Sequence, residues 1–203
     1  MSKFYDSRSI YLVRHCRPRL KKGAHMCIGK TDIPLGETGR RQADKLKNYF
    51  LNLNLDHIYS SPLKRTKETA EIIAGKKINV VLKSNFAELN MGKWDGLSFD
   101  EIKRKYPEEY EKRGKDLENY IVEGGESMAM CRKRAMVGLH EVINELEGNI
   151  LIVTHAGVIR VIISSISHID IKKTFDYHIE YGNISLLKFN ERVLNLDKVY
   201  CNN

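Results

Sequence analysis

Ile10-Tyr-Leu-Val-Arg14-His15 is a continuous apolar run that stops abruptly at two basic side chains. A short apolar run of this kind reads as a strand buried on both faces, as in parallel sheets. Its carboxyl end is where open α/β sheets bind ligands. A second run, Asn149-Ile-Leu-Ile-Val-Thr-His155-Ala-Gly157, ends the same way. Two buried strands that each deliver a histidine predict one site assembled from distant parts of the chain.

Working outward from these runs, strand and helix signals alternate, which predicts an α/β sheet protein. A polar loop from Cys16 to Gly36 follows the first strand, and Glu37 to Leu53 has helical spacing, with Ala43, Leu46, Phe50 and Leu53 on one face. Asp56 to Tyr59 reads as the second strand. It runs into Ser60-Ser61-Pro62, where Ser61 suits a helix N-cap and Pro62 the first helical position. That helix, Pro62 to Ala74, stops at Gly75. Ile78 to Leu82 reads as a third strand. An irregular stretch from Asn85 to Gly125 carries helical candidates at Phe99 to Tyr106 and Glu108 to Arg113.

An amphipathic helix spans Ser127 to Leu146, its stripe formed by Met128, Cys131, Ala135, Leu139, Val142 and Leu146. The fourth strand, Ile150 to Thr154, turns at His155-Ala156-Gly157 into another helix. Ile184 to Phe189 and Arg192 to Tyr200 read as a hairpin closing around Asn190-Glu191. The expectation is a single domain over residues 1–203: one sheet with helices on both faces, and a cap-like insertion at about 85–125 covering the site.

Composition narrows the function classes. At 203 residues the chain can bury a substantial core, and no apolar run reaches membrane-spanning length. The first nine residues hold Lys3, Asp6 and Arg8 and lack the apolar stretch of a signal peptide, so the cytoplasm is the expected compartment. The net charge of +8 comes from Lys and Arg mixed with 26 acids, without an arginine-rich tract or nucleic-acid motif. This suits an anionic small substrate, with neither nucleic acid nor membrane as partner; nothing in the chain sets an oligomeric state.

Cys16, Cys27, Cys131 and Cys201 are too scattered for a disulfide framework and read as free thiols. Cys16, beside His15, is the one expected near chemistry. His25, His57, His140, His168 and His178 read as surface or satisfied interior residues. No His-x-x-x-His or Cys-x-x-Cys spacing suggests zinc.

Arg14, His15, Arg65 and His155 form a set suited to phosphoryl chemistry. Arginine forks pair bidentately with phosphate oxygens and remain charged. A neutral histidine can attack phosphorus and hold the phosphoryl group covalently, while a second can donate to the equatorial oxygens as charge builds. Glu88, following the third strand, is the best placed carboxylate to protonate a leaving alcohol.

Six blocks in order, Arg14-His15, Pro34 to Ala43, Ser60 to Ala70, Glu88 to Gly96, Gly124-Gly-Glu-Ser127 and Val153 to Arg160, resemble the histidine phosphatase (phosphoglycerate mutase-like) superfamily over about residues 9–165. The resemblance implies a three-layer α/β/α sandwich with a mostly parallel central sheet, and a phosphohistidine mechanism needing neither metal nor cofactor. It implies His15 as nucleophile, Arg14, Arg65 and His155 as the phosphate pocket, and Glu88 as proton donor. Gly29 and the backbone N–H of Ala156 are implied as further phosphate contacts.

The length, Pro18 and the Cys27 to Pro34 stretch are similar to the α-ribazole phosphatase branch. This implies a phosphomonoesterase of the histidine acid type, acting on a small phosphate ester such as α-ribazole 5′-phosphate in cobalamin synthesis. Alternatives are a cofactor-dependent phosphoglycerate mutase and a non-catalytic phosphate-binding regulatory protein. Two departures stand out. Cys16 occupies the usual glycine position, where it reads as a side chain crowding the phosphate or needing an unusual backbone angle, as an oxidation-sensitive thiol drawn towards thiolate by the cations, or as a tolerated small residue; Arg17 stands where an acidic or polar residue is frequent. Trp94 reads either as a core anchor or as a substrate stacker, and Gly124-Gly125 either as a hinge or as backbone approaching the pocket.

Overall fold

A computed structural model of the chain describes residues 8–20, 25–145, 147–190 and 193–200. Six strands form one sheet in the order β3-β2-β4-β1-β5-β6: β1 (Arg8–Arg14), β2 (Leu55–Ser60), β3 (Val80–Leu82), β4 (Asn149–Thr154), β5 (Ile184–Asn190) and β6 (Val193–Tyr200). The first four are parallel to one another, and β5 and β6 add antiparallel. The expected mostly parallel sheet is therefore present, with the hairpin as its antiparallel margin. Glu191, Arg192 and Cys201 lie outside the described residues, as does Leu146.

The alternation of side chains along β1 and β4 builds two cores. Ile10, Leu12, Ile150 and Ile152 face one way, and Tyr11, Val13, Leu151 and Val153 the other, all of them buried. Helices α1 (Glu37–Phe50) and α2 (Lys64–Ala74) cover the second face, where Phe50 meets Tyr11 edge-on at 5.3 Å. Helices α5 (Met128–Glu145) and α6 (Ala156–Ile166) cover the first; Met128, Cys131, Ala135, Leu139 and Val142 of the expected stripe are buried there. The result is the three-layer α/β/α sandwich.

Between β3 and α5 run two single 3-10 turns, then α3 (Phe99–Lys105) and α4 (Pro107–Lys115). Ser98 and Glu101 form a reciprocal capping box that starts α3. Most boundaries shift by a residue or two from expectation; the larger shifts are that α1 ends at Phe50, β3 begins at Val80 and α2 begins at Lys64. The last has a physical reason. Leu63 is extended, at ψ 140°, and is the cap position of α2, so Pro62 lies outside the helix; the Ser61 hydroxyl accepts the Leu63 N–H at 3.3 Å and also meets His155. Gly75 does close α2, at φ 58°.

Candidate active site

The register between adjacent β1 and β4 brings the two histidines together. Arg14 pairs with Thr154, and the N–H of His15 donates to the Thr154 carbonyl at 2.9 Å. The two rings therefore emerge side by side, centroids 5.1 Å apart at 62°. β2 flanks β4 on its other side, and the Ser61 N–H donates to the Val153 carbonyl. That places the Ser61 hydroxyl 2.9 Å from His155 Nε2.

His15 is buried, and its Nδ1 lies 2.8 Å from the carbonyl oxygen of Cys16. A carbonyl only accepts, so Nδ1 carries the proton and the Nε2 lone pair is left free. Burial, then the charges of Arg65 and Arg14, hold this histidine well below its ordinary pKa, against the opposing pull of the Cys16 carbonyl. Burial and the same arginines lower His155 as well. Both shifts favour the neutral ring.

Arg14 donates to the Ile179 carbonyl at 2.7 Å and stacks over the Tyr181 ring at 3.9 Å, the same ring that lies 5.4 Å from His15. Arg65, on the first turn of α2, is 1% exposed and donates to the carbonyls of Thr31 and Gly29, at 2.8 Å each. Arg14 Nε, Arg65 Nε and His155 Nδ1 are buried and have no hydrogen-bond partner among the described residues. Buried polar nitrogens without partners are costly. Three around one imidazole make an electropositive pocket preorganised for an oxyanion.

Glu88 enters from the loop after β3. Its carboxylate accepts the Leu89 N–H at 2.8 Å and the Gly157 N–H at 3.4 Å. Burial pushes its pKa above the ordinary carboxylate value, opposed by those N–H groups and by Arg65 and Arg14. A Cβ on Gly157 would lie 2.5 Å from Glu88 Oε1, so any larger residue there would displace the carboxylate. Arg134 of α5 fixes the loop by donating to the carbonyls of Asn85, Ala87 and Glu88 and pairing with Glu126.

Arg14, His15, Arg65, Glu88 and Ala156 line a common cleft; His155 is fully buried and not among its lining residues, but its ring lies 5.1 Å from that of His15. Ala156 opens α6, so its N–H is among those a helix leaves without an intrahelical acceptor. Gly29 is placed differently from expectation. Its N–H donates to Asp95 at 2.8 Å and its carbonyl accepts from Arg65, so both backbone groups serve to position the arginine.

Cys16 also departs from expectation. It does not crowd the cleft: the side chain is fully buried in the α1/α2 core, and Cys16 is not among the residues with positive φ. Burial raises its thiol to about 12, so the expected thiolate character is absent. Cys27 is the thiol that lines the cleft, and burial raises it to about 12 too.

Trp94 is a core anchor, 1% exposed beneath Tyr110. Gly125 packs on the Asn90 and Gly92 backbone, as the Glu126 N–H donates to the Asn90 carbonyl, so this block supports the Glu88 loop. Sequence reasoning missed Ser61, Tyr181 and Arg134. Ser61 was hidden behind a helix-cap signal; Tyr181 and Arg134 carried no local signal, because their partners are remote in the chain.

A family model described as the histidine phosphatase superfamily (branch 1) matches residues 10–202. The chain is 31% identical over 166 residues to phosphoserine phosphatase 1 of Hydrogenobacter thermophilus, covering 81% of this chain and 79% of that protein. It is 34% identical over 164 residues to phosphoglycerate mutase-like protein 4 of Arabidopsis thaliana, covering 78% and 71%. In fold it is similar to the α-ribazole phosphatase from Shigella flexneri, with a TM-score of 0.84, 21% identity, and coverage of 94% and 95%.

Proposed function

The chain belongs to the histidine phosphatase superfamily, and on that premise we propose that it hydrolyses a small phosphomonoester through a phosphohistidine at His15. The observation that carries this reading is the imidazole whose Nδ1 is tied to the Cys16 carbonyl, set among the unpartnered nitrogens Arg14 Nε, Arg65 Nε and His155 Nδ1.

In the first step His15 Nε2 attacks phosphorus in line, forming the P–N bond as the P–O bond to the alcohol breaks. Glu88, kept protonated more readily than an ordinary carboxylate by its burial, passes its proton to the departing oxygen. Arg14, Arg65, His155 and the Ala156 N–H meet the charge that builds on the equatorial oxygens; donors of this kind are worth roughly a hundred- to a thousand-fold each. Water then attacks the phosphohistidine and yields its proton to Glu88 as the P–N bond breaks, restoring the starting state and releasing inorganic phosphate.

Hydrolysis of this acid type is the reading taken because water suffices as the second acceptor; phosphatase and phosphoglycerate mutase names both recur among the relatives. α-Ribazole 5′-phosphate, with its place in cobalamin synthesis, is one candidate ester, suggested by the Shigella flexneri likeness. The test is rapid quenching with a phosphorus-labelled ester. An acid-labile adduct that forms in the parent chain, disappears in His15→Ala and decays to phosphate supports the proposal. Transfer of label to 3-phosphoglycerate without net phosphate release would instead favour the mutase, and phosphate binding without turnover the regulatory protein.

A further inference from the structure

The turn that precedes β5 is stitched to the end of β1. The Gly182 N–H donates to the carbonyls of Arg14 and His15 at 3.0 and 3.3 Å, and the Arg14 N–H donates to the Asn183 carbonyl at 3.1 Å. Within the turn, the Asn183 side-chain amide donates to the His178 carbonyl at 2.8 Å. The backbone therefore fixes where Tyr181 stands relative to the nucleophile and the arginine beside it. Tyr181 is half-buried and belongs to neither hydrophobic core. It lines the catalytic cleft and also borders a second cavity, of about 480 Å³, beside Thr38, Arg41, Gln42 and Lys45 of α1. Its ring meets the catalytic groups instead: the Arg14 guanidinium lies 3.9 Å from its centroid, and the His15 ring 5.4 Å away at 50°.

The two arginines of the pocket are held differently. Arg65 donates through both Nη atoms to two carbonyls, those of Thr31 and Gly29, which together fix the plane of its fork. Arg14 has a single carbonyl tether among the described residues, from Nη1 to Ile179 at 2.7 Å, and its Nε is unpartnered. One hydrogen bond leaves a planar group free to swing about it. The missing restraint is a surface against the guanidinium face, and the Tyr181 ring is that surface. A guanidinium stacks flat on aromatic rings, and it matches an oxyanion bidentately only when its edge is presented in plane.

Resting on the hydrolase reading above, we propose that Tyr181 is a positioning residue whose ring face sets the plane of the Arg14 guanidinium, so that its remaining donors point at the phosphoryl oxygens. The ring acts through Arg14 and takes no part in proton transfer. Because the ring lies outside both cores and borders the α1 cavity, it can be replaced without emptying the packed interior.

The test is a double-mutant cycle on an alkyl phosphate. Tyr181→Leu keeps an apolar side chain but removes the aromatic face, and kcat/KM should fall about ten-fold, the scale of a desolvated cation–π contact. Tyr181→Phe restores the face without the hydroxyl and should recover kcat/KM to within about three-fold of the parent. In an Arg14→Met background the ring has no guanidinium to hold, so the Tyr181→Leu step should cost less than about two-fold. Arg14→Lys serves as a second background, since an ammonium is a point charge with no plane to set, and there the step should cost less than about three-fold.

Equal losses with and without Arg14, as a general structural role or a direct action on His15 would give, overturn the proposal. So does a Tyr181→Phe as impaired as Tyr181→Leu, which would move the role to the hydroxyl. Calorimetric binding of orthovanadate to the same proteins repeats the cycle without turnover. Coupling in binding, with no ester hydrolysed by the parent, would sink the hydrolase reading alone, whereas additive binding losses overturn the assignment of Tyr181.

Discussion

Gly157→Ala isolates the placement of the proton donor. The added Cβ would stand 2.5 Å from Glu88 Oε1, whereas ordinary contact begins near 3.4 Å, so the carboxylate must retreat by about 0.9 Å. It cannot do so freely, because Leu89 N–H holds Oε1 and Arg134 holds the carbonyl behind it. A misplacement of about 1 Å costs on the order of a hundred-fold, well within the range of roughly 10² to 10⁴ for general acid catalysis. The loss should depend on the leaving group. An alkyl phosphate needs its oxygen protonated, so kcat/KM should fall about a hundred-fold. p-Nitrophenolate departs without help, so p-nitrophenyl phosphate should lose less than about five-fold by the same Brønsted argument.

kcat/KM is the right quantity, because it reports steps up to release of the alcohol and excludes the water attack that also uses Glu88. Stability should not fall, since Gly157 lies in α6 and alanine is favoured over glycine in a helix by about 0.5–1 kcal/mol. Thermal melting alongside kinetics on both esters is the assay. Equal losses on the alkyl and aryl esters, or no loss on either, would refute the assignment of Glu88 as donor.

Other outcomes follow from the same geometry. In the kcat/KM profile the acidic limb belongs to His15, which must be neutral, and lies below pH 6.5 because burial lowers that group; the alkaline limb belongs to Glu88, which must be protonated, and lies above pH 4.5. Glu88→Gln should abolish the alkaline limb, and an unchanged limb would reassign it. Glu88→Gln should also raise Tm at neutral pH: the raised folded pKa means the carboxylate opposes folding above about 4.5, and the gain should vanish below that pH in melts across the range. Ser61→Ala leaves His155 without its one side-chain partner, so urea unfolding should show a loss of about 1–3 kcal/mol and initial rates a fall of about ten-fold or more. Peroxide at pH 7 should leave activity intact, because Cys16 and Cys27 titrate near 12; inactivation reversed by dithiothreitol would contradict their burial.

Legibility in the sequence followed the range of the interaction. The apolar runs at Ile10 and Asn149 announced the central strands, because a strand covered on both faces has to be apolar throughout. The stripe from Met128 to Val142 announced α5 by its period. The strand-end histidines, Arg14, Arg65 and Glu88 were legible as chemistry because residue type and order along the chain suffice to nominate them. Ser61 was only half legible: a serine before a proline satisfies the local rule for a helix start, and its hydroxyl does accept the Leu63 N–H, but only the neighbouring β4 also brings it a histidine. Cys16 misled in the opposite way: adjacency to His15 put it near chemistry in sequence, while the chain, having left β1 at Arg14, seats its side chain in the α1/α2 core with Tyr11 and Val13.

Residue chemistry and hydrophobic period, both properties of short stretches, determined that this is a layered α/β protein with cationic groups at its sheet edge. Which histidine nitrogen is free, which carbonyls occupy Arg65, and which cation of the insertion faces the cleft were decided by the packed backbone, whose β1–β4 register joins segments over a hundred residues apart. Hydrogen-bond partnership is a matter of ångströms and angles, and no local pattern encodes them.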